Sequence, residues 1–578
     1  MERGSSAGQR SRLSWRGLRP ALGEAAPAAH AQASSERSLA AAVHPGPEAD
    51  VPDLLDSTAR MSLDPHRLRR TLAFAFEGVD IGDALDHPLE GAALPESSWD
   101  PECFENDLFV AELVERCLGA ELEGRPLHLD VRFLAQVLSH PPNDPRIPSF
   151  RRAILAELAE PAARRAIEAL YGELVHLRLL FRSSTEDAPF GRSKRRLETL
   201  AALRRVIELA KETLPASSSG LARISSFGRS VADSEGYRNL VQLLDYENNL
   251  ARVSLEVGLG ADGRVRRMAV RRVEENETNR FYQSPLGRLF SQIILLLRGF
   301  RVTRDEIAER WLDTVYNQVD AALPPLFQLL GHLEFYLAAL AFRDRCVAKG
   351  LAVCFPEMVE DGGRSVEGLF NPLLLTQGIV PTPCDLETPS FDTFTVVTGP
   401  NSGGKTRLMQ ALGLAQMLAQ SGFYVPARTA RLRSAKALFV SLNEAPAVDQ
   451  KEGRLGMELL RIRRLFERSP AGALVIFDEL CSGTNPSEGE QIFTLVVSLL
   501  HELRPEVFIT THFLQFAARL SAESPAEFAF RQVELDADRR PTYRFLPGVA
   551  TTSLASETAA RLGVTREELI ALIRQKGG

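Results

Sequence analysis

Residues 394–406 read FTVVTGPNSGGKT: a β-branched run enters a glycine-rich loop and leaves it through Lys405 and Thr406. The loop fits the spacing G-x-x-x-x-G-K-[ST]. The run 394–398 is predicted to be a buried strand, with a helix starting near Gly404. Between them, glycines let backbone N–H groups point inward around phosphate oxygens where a Cβ would obstruct the turn, and the helix adds its positive dipole end. Gly399, Pro400, Asn401, Ser402, Gly403, Gly404, Lys405 and Thr406 are therefore the candidate nucleotide-binding residues. Lys405 would neutralise the β- and γ-phosphates, and the Thr406 hydroxyl would hold Mg²⁺.

A second motif agrees with the first. Residues 473–479, ALVIFDE, form an apolar strand that ends in two acids. A strand buried on both faces ends at the carboxyl edge of a parallel sheet, where nucleotides bind. Asp478 is the candidate partner of Thr406 in the Mg²⁺ shell, and Glu479 the candidate base that orients and deprotonates the attacking water. A third short strand, 507–511, ends in Thr511 and His512, which places His512 as a candidate contact to the γ-phosphate. The stretch between Lys405 and Asp478 leaves room for intervening strands and crossover helices, whose right-handedness brings the strand ends to one face.

Upstream of this region the 578-residue chain reads as mainly helical. Ile154, Leu158, Ile167, Leu170 and Leu174 recur at helical spacing, as do Leu197, Leu200, Leu203, Ile207 and Leu209. The run 192–196, RSKRR, fits a solvated helix start or a nucleic-acid contact. Residues 215–232 are rich in Ser and Gly and are expected to be a loop. In 251–273 Val253, Leu255 and Val257 alternate with polar residues, a turn follows near Gly260 and Gly263, and the return strand carries five arginines. This predicts a small basic β-hairpin inserted between helical segments, which fits a phosphate contact and a solvated hairpin equally. Pro324 and Pro325 must interrupt the next helical stretch, and 326–349 places Leu329, Leu333, Leu337 and Leu340 on one face.

Composition narrows the class. Hydrophobic residues are 44% and charged residues 25%, enough apolar material for several cores. A net charge of −7 excludes a globally basic nucleic-acid binder and leaves local basic patches open. Only seven of the 68 basic residues are lysine, a skew of composition, so arginine abundance argues nothing about DNA. No window reaches the ~18 uninterrupted apolar residues of a membrane span; the stretch 293–297 is stopped by Arg298. The six cysteines show no CxxC pair and no Cys/His metal spacing, which fits a reduced, cytoplasmic compartment. Residues 1–60 are Ala-, Ser-, Pro-, Gly- and Arg-rich, and a disordered tail, a targeting segment and a misassigned start ahead of Met61 are all compatible with them.

These residues resemble the MutS family of DNA mismatch-repair ATPases. TGPNSGGKT is followed by GFYVPA at 422–427, and Asp478-Glu479-Leu480-Cys481-Ser482-Gly483-Thr484 is similar to the family's acid motif and adjoining loop. Thr511-His512-Phe513 matches its sensor histidine, and Tyr543-Arg544-Phe545-Leu546-Pro547-Gly548 with 553–562 its closing segment. The resemblance is strong over 395–565 and weaker upstream. It implies an α/β P-loop NTPase (ABC-like) domain at the C-terminus, preceded by a mainly helical core/lever region with a small inserted β-module. The implied division is 61–350 for the helical region with a reduced clamp near 250–275, 351–390 for a connector, and 391–578 for the ATPase domain with C-terminal dimerisation helices. Thr565 and Glu568 look like a capping box that opens the last helix.

The resemblance further implies ATP and Mg²⁺ as cofactors, an adenine wall at Ile379, homodimerisation through the ATPase domain, and duplex or structured DNA as partner. The family completes each nucleotide with a serine-bearing loop from the second subunit. The corresponding 443–458 here holds Gly453 and Arg454 and no serine in its central loop. The family's phenylalanine-x-glutamate mismatch wedge is also unmatched, because 74–77 reads FAFE. The nuclease-type tail of another branch is not expected either. Two functions are therefore carried forward: a DNA-binding ATPase in mismatch repair or related DNA-structure processing, with ATP as a clamp switch, and a nucleotide-gated interaction module acting on RNA, ribosomes or protein partners.

Overall fold

The computed structural model describes residues 51–85, 87–122, 124–182, 191–248, 251–259, 265–275, 304–442, 454–481, 485–524, 527–552 and 563–576. The chain from Asp50 to Gly578 forms one compact unit.

The helical part comprises α1 (Pro65–Glu77), α2 (Val131–Ser139), α3 (Arg146–Leu158), α4 (Pro161–Arg182), α5 (Gly191–Glu212), α6 (Ala222–Ala232) and α7 (Glu235–Asn248). The expected hairpin follows as β1 (Ala251–Leu259) paired antiparallel with β2 (Val265–Glu275), and then come α8 (Arg304–Val319) and α9 (Leu323–Ala348). Pro324 and Pro325 lie in the first turn of α9, where a missing N–H costs no helical bond, so they open the helix after a tight turn at Asp320–Ala322. The stretch Trp311–Ala348 is long and apolar enough to cross a membrane by length and composition alone; it lies almost wholly inside the protein.

Burial of α9 is two-sided, because the leucine face is joined inside by Gln328, His332, Glu334 and Tyr336. Buried polar groups need partners. His332 Nδ1 accepts the Leu54 N–H at 3.2 Å, the Tyr336 hydroxyl donates to the Leu54 carbonyl, and the Gln328 amide donates to the Arg60 carbonyl at 2.9 Å. Arg151 Nε and the Arg223 guanidinium grip the carbonyls of Leu55, Asp53, Asp56 and Ser57. Residues 51–60, expected as the end of a tail, are thus a packed strap across α9, with Leu54 and Leu55 buried.

Two further expectations change. Within 215–232 only the first part is loop; Ile224, Phe227 and Val231 bury a face of α6 against its neighbours. Gly228 makes this contact, since a Cβ there would lie 2.3 Å from the Lys211 backbone nitrogen of α5. In the run 192–196, Arg195 and Arg196 are buried: Arg195 donates to the Ala75 carbonyl, while Arg196 stacks on Phe76 and pairs with Asp313. These two guanidiniums hold helices together and do not face a nucleic acid.

The C-terminal part is built on two sheets. β3 (Glu357–Val359), β4 (Ser365–Leu369) and β5 (Cys384–Glu387) precede β6 (Phe394–Thr398) and α10 (Lys405–Gln420). β7 (Thr429–Arg433), β8 (Leu438–Ser441), α11 (Arg454–Arg468), β9 (Leu474–Phe477), α12 (Pro486–Leu503), β10 (Glu506–Thr510), α13 (Leu514–Glu523), β11 (Phe528–Leu535), β12 (Pro541–Pro547) and α14 (Arg566–Lys576) follow. The larger sheet has the order β8-β9-β10-β6-β11-β12, parallel except for the last pair. Strands β6, β9 and β10 are buried along their whole length; β9 is apolar throughout, while β6 and β10 mix β-branched and aromatic residues with buried Thr395, Thr398, Glu506 and Thr510.

The stretch 351–390, expected as a connector, contributes three strands of the smaller sheet, ordered β3-β7-β4-β5. Buried Arg364 fastens the two sheets, donating from Nε and Nη2 to the Glu506 carboxylate at 2.8 Å each and from Nη2 to Gln416 Oε1 at 2.7 Å. The GFYVPA segment joins the sheets to the helical part, where Phe423 packs edge-on against Phe335 of α9 at 5.3 Å.

Candidate functional site

The site is the carboxyl edge of the larger sheet, where β6 opens into the loop 399–404 and α10 begins. Gly399 and Gly404 have φ of 138° and 87°, values that L side chains rarely adopt. A Cβ on Gly399 would also strike Val533 of β11 at 2.6 Å, so the loop folds tightly onto the neighbouring strand. Ser402 adopts φ 67°, a non-glycine residue in the left-handed region, of the kind that clusters at ligand clamps. At the start of α10 the amides of the first turn have no intrahelical partner, which is what an anion requires.

Lys405 is buried, and its Nζ donates to the carbonyls of Gly399 at 3.0 Å and Pro400 at 3.1 Å. Burial pulls the ammonium below its ordinary value, and the carboxylates of Glu479 and Asp478 oppose that shift. Glu479 Oε1 lies 3.9 Å from Nζ. Thr406 Oγ1 donates to Asp478 Oδ2 at 2.5 Å. Asp478 is itself 6% exposed, and its other oxygen accepts from the Thr510 hydroxyl at 2.6 Å. Parallel neighbours β9 and β10 pair Phe477 with Ile509, which brings Asp478 and Thr510 out side by side at the sheet edge.

The two acids differ in setting. Asp478 continues β9 with its N–H donating to the Ser441 carbonyl at 2.9 Å, whereas Glu479 turns to φ 52° and donates its N–H to Thr510 Oγ1 at 2.7 Å. A cavity of about 570 Å³ opens over these groups. Its floor is the loop with Asp478 and Glu479; its walls are Ile379, Val380 and Pro381 on one side and Tyr543 and Phe545 of β12 on another. Tyr543 approaches the loop closely, with its ring carbon 3.2 Å from where a Cβ of Gly404 would stand.

Of the residues proposed from sequence, Asn401, Ser402, Gly403, Gly404, Lys405, Thr406, Asp478, Glu479 and Ile379 line this one cavity. Gly399 and Pro400 form the turn beneath it, and their carbonyls hold Lys405. His512 is exposed, lies with its ring tilted 51° to that of Phe513 at 4.3 Å between centroids, and is not part of the cavity wall. Residues 443–453, with the central part of the loop that resembles the family's trans contact, lie outside the described residues, as do 482–484 and 553–562. Three wall or support residues carried no assigned role in the sequence. Tyr543 and Phe545 stood in the closing segment without a task, and Thr510 was hidden as the end of an apolar strand.

The donor set suits a hard cation. A hydroxyl and a carboxylate already in contact offer only oxygen, and such a pair leaves most of a Mg²⁺ shell to phosphate oxygens and water. Consistent with that division, no cluster of three or more His, Cys, Asp or Glu side chains among the described residues is arranged to cage a metal alone.

A glycine-rich anion cradle, a buried lysine and a tandem acid pair on a mostly parallel sheet define an ATPase-like α/β domain. Residues 395–574 match the family model described as MutS domain V. Similar proteins include Endonuclease MutS2 of Clostridium tetani, 28% identical over 283 residues that make up 48% of this chain and 34% of the relative. Endonuclease MutS2 of Streptococcus agalactiae serotype Ia is 32% identical over 238 residues, 41% of this chain and 29% of the relative. That of Agathobacter rectalis is 27% identical over 272 residues, 46% and 33% of the two chains. The matched stretch thus spans about a third of the length of these curated relatives.

Proposed function

We propose that this chain is a Mg²⁺-dependent ATPase of P-loop, ABC-like type that hydrolyses ATP to ADP and phosphate and uses that cycle to control binding of duplex or structured DNA. The observation that carries the reading is the convergence of Lys405, Thr406, Asp478 and Glu479 around one cavity on the loop 399–404. Lys405 exchanges its two loop carbonyls for phosphate oxygens, which add to the negative charge that Glu479 and Asp478 already place near the desolvated ammonium. Thr406 and Asp478 would hold Mg²⁺, which would screen the charge of the triphosphate. Glu479 orients the attacking water and takes its proton, and the backbone amides of the loop and of the first turn of α10 receive the charge that builds on the transferred group. Ile379, Val380, Tyr543 and Phe545 provide an apolar and aromatic wall for the adenine ring.

The packing of α9 against the segment after α10 supports a switch in which the helical part follows the ATPase domain. In this reading the chain works as a cytoplasmic homodimer, with α14 at the dimer-forming end, in mismatch repair or related DNA-structure processing. The capping box expected at α14 fits that role: Glu568 N–H donates to Thr565 Oγ1, and the helix presents Leu572 and Ile573 to solvent. The test is a salt-dependent titration of duplex, mismatched, branched and RNA ligands with ATP present and absent, alongside hydrolysis by the Glu479→Gln protein. Duplex affinity that falls steeply with salt and changes with ATP, together with retained nucleotide binding and lost turnover in Glu479→Gln, supports the proposal. Affinity for no DNA in either state overturns the DNA reading in favour of an RNA, ribosome or protein partner, and wild-type turnover in Glu479→Gln removes the assigned base.

A further inference from the structure

We propose that Thr510 is a positioning residue that sets the Asp478–Glu479 pair for the metal–nucleotide complex; this rests on the ATPase reading above and deepens it. Thr510 is wholly buried at the last position of β10 and does not line the cavity. Its single hydroxyl serves both acids at once. Oγ1 donates its proton to Asp478 Oδ1 at 2.6 Å and accepts the Glu479 N–H at 2.7 Å.

Each bond has a separate consequence. The first occupies one oxygen of Asp478, so the other is the oxygen turned to Thr406 at 2.5 Å and to the cation position. Without it the carboxylate is free to rotate about its last torsion, and the Thr406–Asp478 pair loses its fixed geometry. The second bond satisfies a backbone donor where the chain leaves β9 and turns to φ 52°. A non-glycine residue held there is strained, and it persists only where its surroundings over-determine it. The Thr510 hydroxyl is one of those constraints, and it aims the Glu479 side chain back toward Lys405.

A hydroxyl that donates to a carboxylate and accepts from an amide cannot be replaced by an isosteric methyl group. Valine keeps the volume and the β-branch of Thr510 but supplies neither bond. Serine keeps both. The role is therefore one of chemistry at the strand end, not of packing there.

The experiment measures equilibrium binding of a fluorescent adenine nucleotide to the full chain, with saturating Mg²⁺ and again with the metal chelated, followed by a Mg²⁺ titration of turnover. Thr510→Val is expected to reduce the affinity gained from Mg²⁺ by about tenfold and to raise the half-saturating Mg²⁺ for kcat, while binding without metal stays within about twofold. Thr510→Ser is expected to match the wild type. Thr395→Val is the control for a buried threonine in the same sheet, because the Thr395 hydroxyl has no hydrogen-bond partner among the described residues; it is expected to leave both readings unchanged. Thr510→Ala replaces the valine protein if the latter does not fold, with the same expected loss. A Mg²⁺ response in Thr510→Val or Thr510→Ala equal to that of the wild type overturns the inference and leaves the ATPase reading standing. A wild-type chain that takes up no nucleotide overturns both.

Discussion

Replacing Glu506 by leucine removes the carboxylate from the ion pair between the two sheets and leaves the Arg364 guanidinium stranded. Arg364 is 0% exposed, and its Nη1 already has no hydrogen-bond partner among the described residues. The substitution abolishes the bonds from Nε and Nη2 to Glu506 at 2.8 Å and leaves only the 2.7 Å bond to Gln416 and the ring of Phe508 at 5.7 Å. Breaking a buried pair by removing one partner costs about 3–5 kcal/mol, because the remaining charge is neither solvated nor compensated. That is a large part of the 5–15 kcal/mol that separates folded from unfolded domains. The double variant Arg364→Met/Glu506→Leu removes both charges and is expected to recover most of the loss, since apolar side chains of similar volume replace such pairs at little or no cost. Urea denaturation followed by far-UV circular dichroism compares the three proteins. A single variant within about 1 kcal/mol of the wild type, or a double variant no more stable than the single, refutes the reasoning.

Further outcomes follow from other parts of the structure. A chain that starts at Met61 loses the strap 51–60 and orphans groups on Gln328, His332, Tyr336, Arg151 and Arg223; at about 1–3 kcal/mol for each buried group left unsatisfied, it is expected to melt well below a chain that starts at Val51, and equal melting temperatures contradict the strap. Glu334 gives a pH dependence: burial pushes its carboxyl from an ordinary 4.5 up to about 7, against the opposing pull of the Asp130 N–H and Arg178. The folded chain then holds a proton that the unfolded chain releases, so this residue's contribution is full below about 4.5 and is lost as pH rises toward and through about 7. Asp53, raised to about 6, acts in the same direction, while His332, lowered to about 3, makes stability rise with pH between about 3 and 6.5. Thermal melts of the wild type and Glu334→Gln from pH 5 to 8 isolate the Glu334 part, and curves that stay parallel contradict it. Gly228→Leu is expected to separate α6 from α5 and destabilise by several kcal/mol through overpacking, visible as a lowered urea midpoint.

What could be read from the sequence was local. Strands β6, β9 and β10 announce themselves because strands buried on both faces are rich in β-branched and aromatic residues, and the loop after β6 because its glycines and lysine are consecutive. The hairpin β1–β2 was visible through alternation on its first strand. What stayed hidden depends on partners far along the chain. Arg364 and Glu506 stand 142 positions apart, and neither residue type at its own position signals a buried pair. Strands β3, β4 and β5 are short and mixed in polarity, and β3 joins the other two only through β7, so 351–390 looks irregular until β7 is placed between β3 and β4. In α6 the serines and Gly228 suggest a loop, whereas the absence of a side chain at Gly228 is what lets the helix approach α5. Within the site the direct ligands were legible as motifs, but Thr510 acts through Asp478 and Glu479 and leaves no motif of its own.

The central claim is a triphosphate pocket built on Lys405. Its most direct measurement is equilibrium binding of a fluorescent adenine nucleotide with Mg²⁺ to the wild-type and Lys405→Ala proteins, with circular dichroism to show that both are folded. Saturable uptake by the wild type and a loss of about 30-fold or more in Lys405→Ala is the expected result, since removing a buried charged partner from a phosphate costs at least about 2 kcal/mol. No uptake by the folded wild type, or equal affinity in the two proteins, contradicts the account.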